Sequence, residues 1–136
     1  MLLIAVEVRP SAIHGLGVYA CEAVPCGRIV WQFDAGMDRR HPVSWLDGQP
    51  EHVRAFIATY GVLSLDKQHV YIAGDHTLFI NHSPTPNLAP RDDLLVNGDG
   101  VVVAARDIAA GEELTVNYAD IDGTDRDKVA QGLPVY

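Results

Sequence analysis

Four small or apolar positions, Ala20, Val24, Gly27 and Val30, recur later in the chain at the same spacing as Ala104, Ile108, Gly111 and Leu114. Each set reads as strand, apolar turn, glycine, strand. In such a corner the glycine is free to take φ > 0 while the apolar turn residue plugs the core. Two similar β-corners are therefore expected. A fold of bent hairpins would carry this pattern, and chance similarity of turn chemistry is the competing explanation.

The remaining patterning agrees with a mainly β chain. Apolar runs between turn residues predict strands at Leu2–Val8, Gly17–Ala20, Ile29–Phe33, His69–Ala73, Leu78–Ile80, Leu94–Asn97, Val101–Ala105 and Leu114–Asn117. Asn97-Gly98-Asp99-Gly100 between apolar runs is a hairpin turn. From Pro50 to Tyr60 the period changes. Val53, Phe56, Ile57 and Tyr60 fall at i, i+3, i+4 and i+7, with Pro50 suited to a first helical turn, so one half-buried amphipathic helix is expected there.

At 136 residues the chain makes one domain. Its formal charge of −8, with ten scattered basic residues, argues against a nucleic-acid surface and suits a basic protein or peptide partner, although an acidic surface also simply aids solubility. Leu2-Leu3-Ile4-Ala5-Val6 lacks the basic flank and length of a signal peptide and no run approaches a membrane span, so a cytoplasmic protein without membrane contact is expected. Cys21 and Cys26 lack the further Cys or His partners of a zinc site and read as reduced thiols; no metal is implied.

Three ordered motifs carry the chemistry. The first is His14-Gly15-Leu16-Gly17-Val18-Tyr19-Ala20, and the second is Phe79-Ile80-Asn81-His82-Ser83-Pro84-Thr85-Pro86-Asn87. The third is Gly111-Glu112-Glu113-Leu114-Thr115-Val116-Asn117-Tyr118. The prolines of the second forbid regular strand pairing, so Asn81 and His82 must make contacts other than ladder hydrogen bonds. In order and rough spacing, from about Val6 to Tyr118, these motifs resemble the SET-domain family of protein-lysine methyltransferases. Three ordered motifs are far more specific than one Gly-x-Gly, which alone is usually a turn.

The resemblance implies a mainly β fold, a SET-domain β-clip of several short curved sheets. It implies one short helix in an insert at about 37–68, and a threaded pseudoknot between the Asn-His-Ser segment and the C-terminal part. The domain would span 1–119, with 120–136 a tail able to close a channel through Leu133, Val135 or Tyr136. The implied activity is transfer of a methyl group from S-adenosyl-L-methionine to a lysine of a basic protein or peptide. Tyr118 would be the catalytic residue, its hydroxyl facing the methyl and also touching the cofactor. His14, Gly15, Leu16 and Gly17 would present backbone groups to the cofactor, with Asn81 and His82 as its binding pair. Asn81 would accept from the ammonium and donate to the carboxylate of the methionine moiety. Phe33, Tyr71 and Val116 would line the lysine channel. From composition alone Tyr118 is an ordinary strand-end tyrosine and His82 a core-satisfied histidine.

Some positions depart from the family pattern. Phe33 stands where many relatives have tyrosine, Asn117 where aspartate is common and Pro84 where cysteine is common. No cysteine follows Tyr118, so the zinc cluster that completes the channel in many relatives cannot form, and the tail or a second subunit of a homodimer would replace it. A non-catalytic SET-like interaction module and a β-clip small-ligand binder are the alternatives.

Overall fold

The structure, a computed structural model, describes residues 1–133. The expected lid residues Val135 and Tyr136 lie outside the described residues. Among the described residues, ten short strands form four small sheets. Strands β1 (Val6–Pro10) and β2 (Leu16–Ala20) make an antiparallel hairpin. A three-stranded sheet runs β3 (Ile29–Gln32), β9 (Asp99–Ala104), β8 (Leu88–Val96), and a second runs β4 (Arg39–Pro42), β6 (His69–Ile72), β5 (Val62–Leu63). The fourth is the parallel pair β7 (Asn81–His82) and β10 (Thr115–Val116). Helix α1 (Glu51–Tyr60) lies between β4 and β5, while α2 (Tyr118–Ile121) and α3 (Gly123–Ala130) follow β10.

The two expected corners exist, and they pair with each other. Val24 and Ile108 each donate an N–H to the other's carbonyl at 2.9 Å. The Gly27 N–H reaches the Ala104 carbonyl at 2.8 Å, and the Gly111 N–H reaches the matching Ala20 carbonyl at 2.6 Å. The return bonds match as well: Ala104 N–H to Arg28 O and Ala20 N–H to Glu112 O, both 2.9 Å. Gly27 and Gly111 take φ of 84° and 88°, values that L side chains rarely adopt. The repeated spacing therefore encodes a local two-fold, in which each corner satisfies the backbone of the other.

That pairing makes the core. Ala20, Val24, Val30, Ala104, Ile108 and Leu114 are all at most 2% exposed. Each buried branched side chain stabilises the fold by about 1.5–3 kcal/mol. Ile4, Val18, Ile80, Leu88 and Val116 complete the cluster.

Several element expectations need correction. Leu78–Ile80 is no strand: His76–Phe79 forms a 3-10 turn, because the Asp75 carboxylate accepts from the Thr77 N–H and caps it. Leu2–Val8 does not run as one strand. Leu2 bridges Trp31 alone, and regular pairing starts at Val6. Strand β8 begins well before Leu94 and includes Pro90, which a sheet tolerates because β8 is an edge strand. The sequence pattern does not announce the charged β4, which pairs with β6 just past the expected insert. In α1 only Ile57 is buried, while Phe56 and Tyr60 are 45% and 39% exposed, so the helix is less covered than its pattern implied. The charged tail contains α2 and α3, nucleated by side-chain caps at Asn117 and Asp122 rather than by an apolar stripe.

Candidate functional site

Contrary to the expectation from the prolines, Asn81 and His82 do join a ladder: the segment runs parallel to β10, with Asn81 beside Thr115 and His82 beside Val116, because Pro84 and Pro86 lie beyond the paired residues. The Ser83 N–H extends the pairing to Val116 O at 3.0 Å. Past the prolines a carboxamide takes over from the ladder. The Asn87 side chain accepts from Thr115 N–H and donates to Glu113 O, both at 2.8 Å, and Ala105 N–H bonds the Asn87 carbonyl at 2.9 Å. At 2% exposed, Asn87 is stitched to both neighbouring segments. The Asn-His-Ser segment and the C-terminal part are thus held side by side, as an association of these two segments requires.

Asn81 is 7% exposed, and its Nδ2 faces three acceptors: His14 O at 3.1 Å, Leu16 O at 3.0 Å and Glu113 Oε1 at 2.8 Å. Three oxygens around one end of a carboxamide identify that end as nitrogen. The Gly-x-Gly turn and Asn81 are thus brought together, as the motifs required. One expectation changes. With Nδ2 turned inward, Asn81 is not positioned to donate to a cofactor carboxylate, whereas among the described residues no donor occupies its Oδ1.

The two glycines of the turn work differently. Gly15 has φ of 48° with open space around it, so its role is the turn. A Cβ at Gly17 would lie 2.3 Å from Glu113 Oε1, so this glycine makes room for a carboxylate. The motif itself gives Glu113 no role. It also accepts from Ser11 Oγ at 2.8 Å and from Tyr19 OH at 3.1 Å. The steric need for glycine at 17 and the hydroxyls at 11 and 19 were the available signals, but none points to residue 113 without the fold.

Tyr118 opens α2, whose cap is the Asn117 side chain accepting from Ala119 N–H at 3.1 Å. Its backbone N–H donates to His82 Nδ1 at 3.2 Å, which requires that nitrogen to carry no proton, and the two rings lie 5.3 Å apart. The phenol donates to the Ile80 carbonyl at 2.8 Å. Burial pushes the Tyr118 hydroxyl above its ordinary pKa and the nearby Asp125 carboxylate adds to the rise, so it stays protonated well into alkali.

Phe33, Tyr71, Val116 and Tyr118 share the lining of one cleft of about 910 Å³ with Trp31, Ile57, Tyr60 and Ile80. The His14–Gly17 turn, Asn81 and His82 are not in that lining. Ile80 and Asn81 are consecutive, and alternation along an extended backbone sends their side chains to opposite sides. The site therefore has two faces, with the Tyr118 hydroxyl bonded at the joint between them. Phe33 and Tyr71 meet edge to face at 5.9 Å, and the Arg40 guanidinium sits 5.1 Å from the Phe33 ring centre while bonding Asp99 at 2.7 Å. The aromatic wall thus already holds a cation. Asp66, Asp92, Asp99, Asp120, Asp122 and Asp125 outnumber Arg54 and Lys128 around the cleft. The tail contributes to this wall. Asp122 accepts from Leu63 N–H at 2.8 Å, and a Cβ at Gly123 would meet Ser64 O at 2.8 Å. Leu133, the one lid candidate within the described residues, is 52% exposed.

On the other side of the chain, the His14 and Leu16 carbonyls and the Glu113 carboxylate are already engaged by Asn81 Nδ2, which leaves Asn81 Oδ1 as the acceptor of that carboxamide with no donor among the described residues.

The SET domain profile matches residues 15–119. The chain belongs to the SET-domain family. A histone-lysine N-methyltransferase, H3 lysine-4 specific, from Chaetomium globosum is 30% identical over 131 residues, which cover 89% of this chain and 12% of that protein. The protein so described from Schizosaccharomyces pombe is 30% identical over 132 residues, covering 92% of this chain and 14% of its own length. The chain thus spans only a small part of these relatives. Among solved structures, a candidate histone methyltransferase of Plasmodium falciparum superposes with a TM-score of 0.61 at 16% identity, covering 86% of this chain and 95% of that one, and so shares the fold. The Chaetomium thermophilum polycomb repressive complex 2 contains a chain matching with a TM-score of 0.64 at 25% identity, over 85% of this chain and 15% of that one.

Proposed function

We propose that the chain transfers a methyl group from S-adenosyl-L-methionine to a lysine amine of a basic protein or peptide. One observation carries the reading. The Tyr118 hydroxyl lines the aromatic cleft with Phe33, Tyr71 and Val116 and donates to the carbonyl of Ile80, the residue directly before Asn81. When bound, the cofactor supplies an electrophilic methyl group on a sulfonium.

The residues of the chain supply alignment and dryness. Asn81 Oδ1 accepts from the cofactor ammonium, and the His14–Gly17 backbone borders the same face. Because the Tyr118 proton is given to Ile80 O, the lone pairs of its oxygen are left to accept weak CH···O contacts that orient the methyl. A free lysine amine has a pKa of about 10.4. The apolar walls exclude water and favour the neutral amine that an in-line displacement needs. The Arg40 guanidinium resting against Phe33 and Tyr71 supports a wall that accepts a cation. The acidic rim draws in a basic segment. Histone H3, on which the fungal relatives act, is a basic protein and the first substrate class to test.

The test is incubation with methyl-labelled cofactor and a panel of lysine-rich peptides and histones. Label on lysine supports the reading. Cofactor binding without transfer to any substrate would favour the interaction-module alternative. In Tyr118→Phe, single-turnover transfer falls by about 100-fold or more while cofactor affinity changes little. Unchanged transfer in that variant removes Tyr118 from the mechanism.

A further inference from the structure

We infer that Glu113 is a positioning residue that orients the Asn81 carboxamide toward the cofactor ammonium; the inference rests on the methyl-transfer reading. Glu113 joins the turn between β1 and β2, β2 itself and β7. Its Oε1 takes the Ser11 hydroxyl and Asn81 Nδ2, each at 2.8 Å, while Oε2 takes Tyr19 OH at 3.1 Å and Ser11 Oγ at 3.0 Å. The Tyr19–Glu113 backbone bridge anchors its main chain, and the missing side chain at Gly17 leaves space for the carboxylate.

The Asn81 amide has two orientations. In the one observed, Nδ2 meets Glu113 Oε1, His14 O and Leu16 O. The flipped amide would aim its own oxygen at three acceptors, one of them a carboxylate, with no proton among them. The two carbonyls alone disfavour that flip; the ionised Glu113 makes it far less favourable, since bonds to charged groups are the stronger ones. The result is an Asn81 Oδ1 left unbonded as an acceptor, which selects for a donor such as an ammonium. Glu113 acts through Asn81, and nothing in this role requires it to touch the methyl or the lysine.

The experiment compares binding of two stable thioethers, S-adenosylhomocysteine and its analogue with hydrogen in place of the α-amino group, by calorimetry. The wild-type chain prefers the amino ligand by about tenfold or more. In Glu113→Ala the preference falls to about twofold, because the amide is free to flip. In Glu113→Gln it stays within about threefold of wild type, since Gln Oε1 still accepts from Asn81 while its Nε2 donates to the Ser11 and Tyr19 hydroxyls. A merely structural Glu113 would weaken both ligands alike. The second readout needs no ligand: the Asn81 side-chain amide protons exchange slowly with solvent in the wild type and in Glu113→Gln, and quickly in Glu113→Ala. Retained selectivity in the alanine variant, equal loss of both ligands, or a glutamine variant no better than alanine overturns the proposal. A wild-type chain that binds neither thioether defeats the methyl-transfer reading instead, and amide exchange then decides whether Glu113 holds Asn81.

Discussion

The paired corners and the insert are held in opposite ways. At the corners the turn glycines, apolar plugs and return bonds match one for one, and every plug is at most 2% exposed. In the insert together with β6, the strand that follows it, Ile57 and Val70 are the buried apolar residues, at 6% and 3%, while Phe56 and Tyr60 stay open. The difference divides the labour of the site. The corners carry Leu114 and, just after it, β10, so they set the register of Asn81, Glu113 and Tyr118. The insert and β6 supply Ile57, Tyr60 and Tyr71 to the cleft, so they shape what can enter. A region that only shapes an entrance can be loosely packed; one that aligns reacting atoms cannot.

The sharpest way to break this division is to cut into each core. Leu114→Ala is expected to cost about 3–5 kcal/mol, because a fully buried side chain at the junction of both corners leaves a cavity that cannot collapse. Ile57→Ala should cost about 2 kcal/mol or less, since the helix around it is open to solvent. Chemical denaturation of both variants checks the ranking, and equal costs would end the distinction. Next in size, Gly27→Ala and Gly111→Ala should each destabilise by about 1–2 kcal/mol. A Cβ added at either glycine would meet no atom within 4 Å, so the cost is backbone strain alone. Two equal values support the local two-fold, and clearly unequal ones deny it.

Tyr118, at the border of the two regions, reports through pH. Its folded pKa lies above its unfolded one, chiefly through burial. The neutral phenol is therefore favoured in the folded state, and its stabilising contribution is complete below about pH 10 and is lost as pH climbs through the folded value. Denaturation midpoints across that range should fall faster for the wild type than for Tyr118→Phe. The smallest effect is expected at the insert surface. Phe56→Ser should change stability by no more than about 0.5 kcal/mol. A larger loss would show that the exposed face of α1 is covered in solution.

What the chain revealed before folding follows the same division. The corners were legible because glycine with positive φ and an apolar plug leave a mark at fixed spacing. The three motifs were legible because their residue types are unusual in combination. Strand β4 was hidden because Arg39, Arg40 and His41 form an exposed edge with no apolar alternation to read. Pro90 masked the first half of β8, since only the sheet order shows that its missing N–H faces no partner. At Leu78–Ile80 a local carboxylate cap outweighed strand propensity. Glu113 went unassigned because an acidic residue in a charged motif looks like solvent-facing surface. Its partners come from residues 11, 19 and 81, a convergence that no local pattern announces.

The mutual bonding of Val24 with Ile108 also dictates when the chain can acquire its shape. Neither corner has its backbone satisfied until the other is present, and a long stretch of chain, from Val30 to Ala104, separates them. On the ribosome Val18, Val24 and Val30 would stay wet until the segment from Ala104 to Leu114 had emerged as well. Nascent-chain length thus becomes a timer, and prematurely terminated products are the ones most exposed to aggregation and degradation.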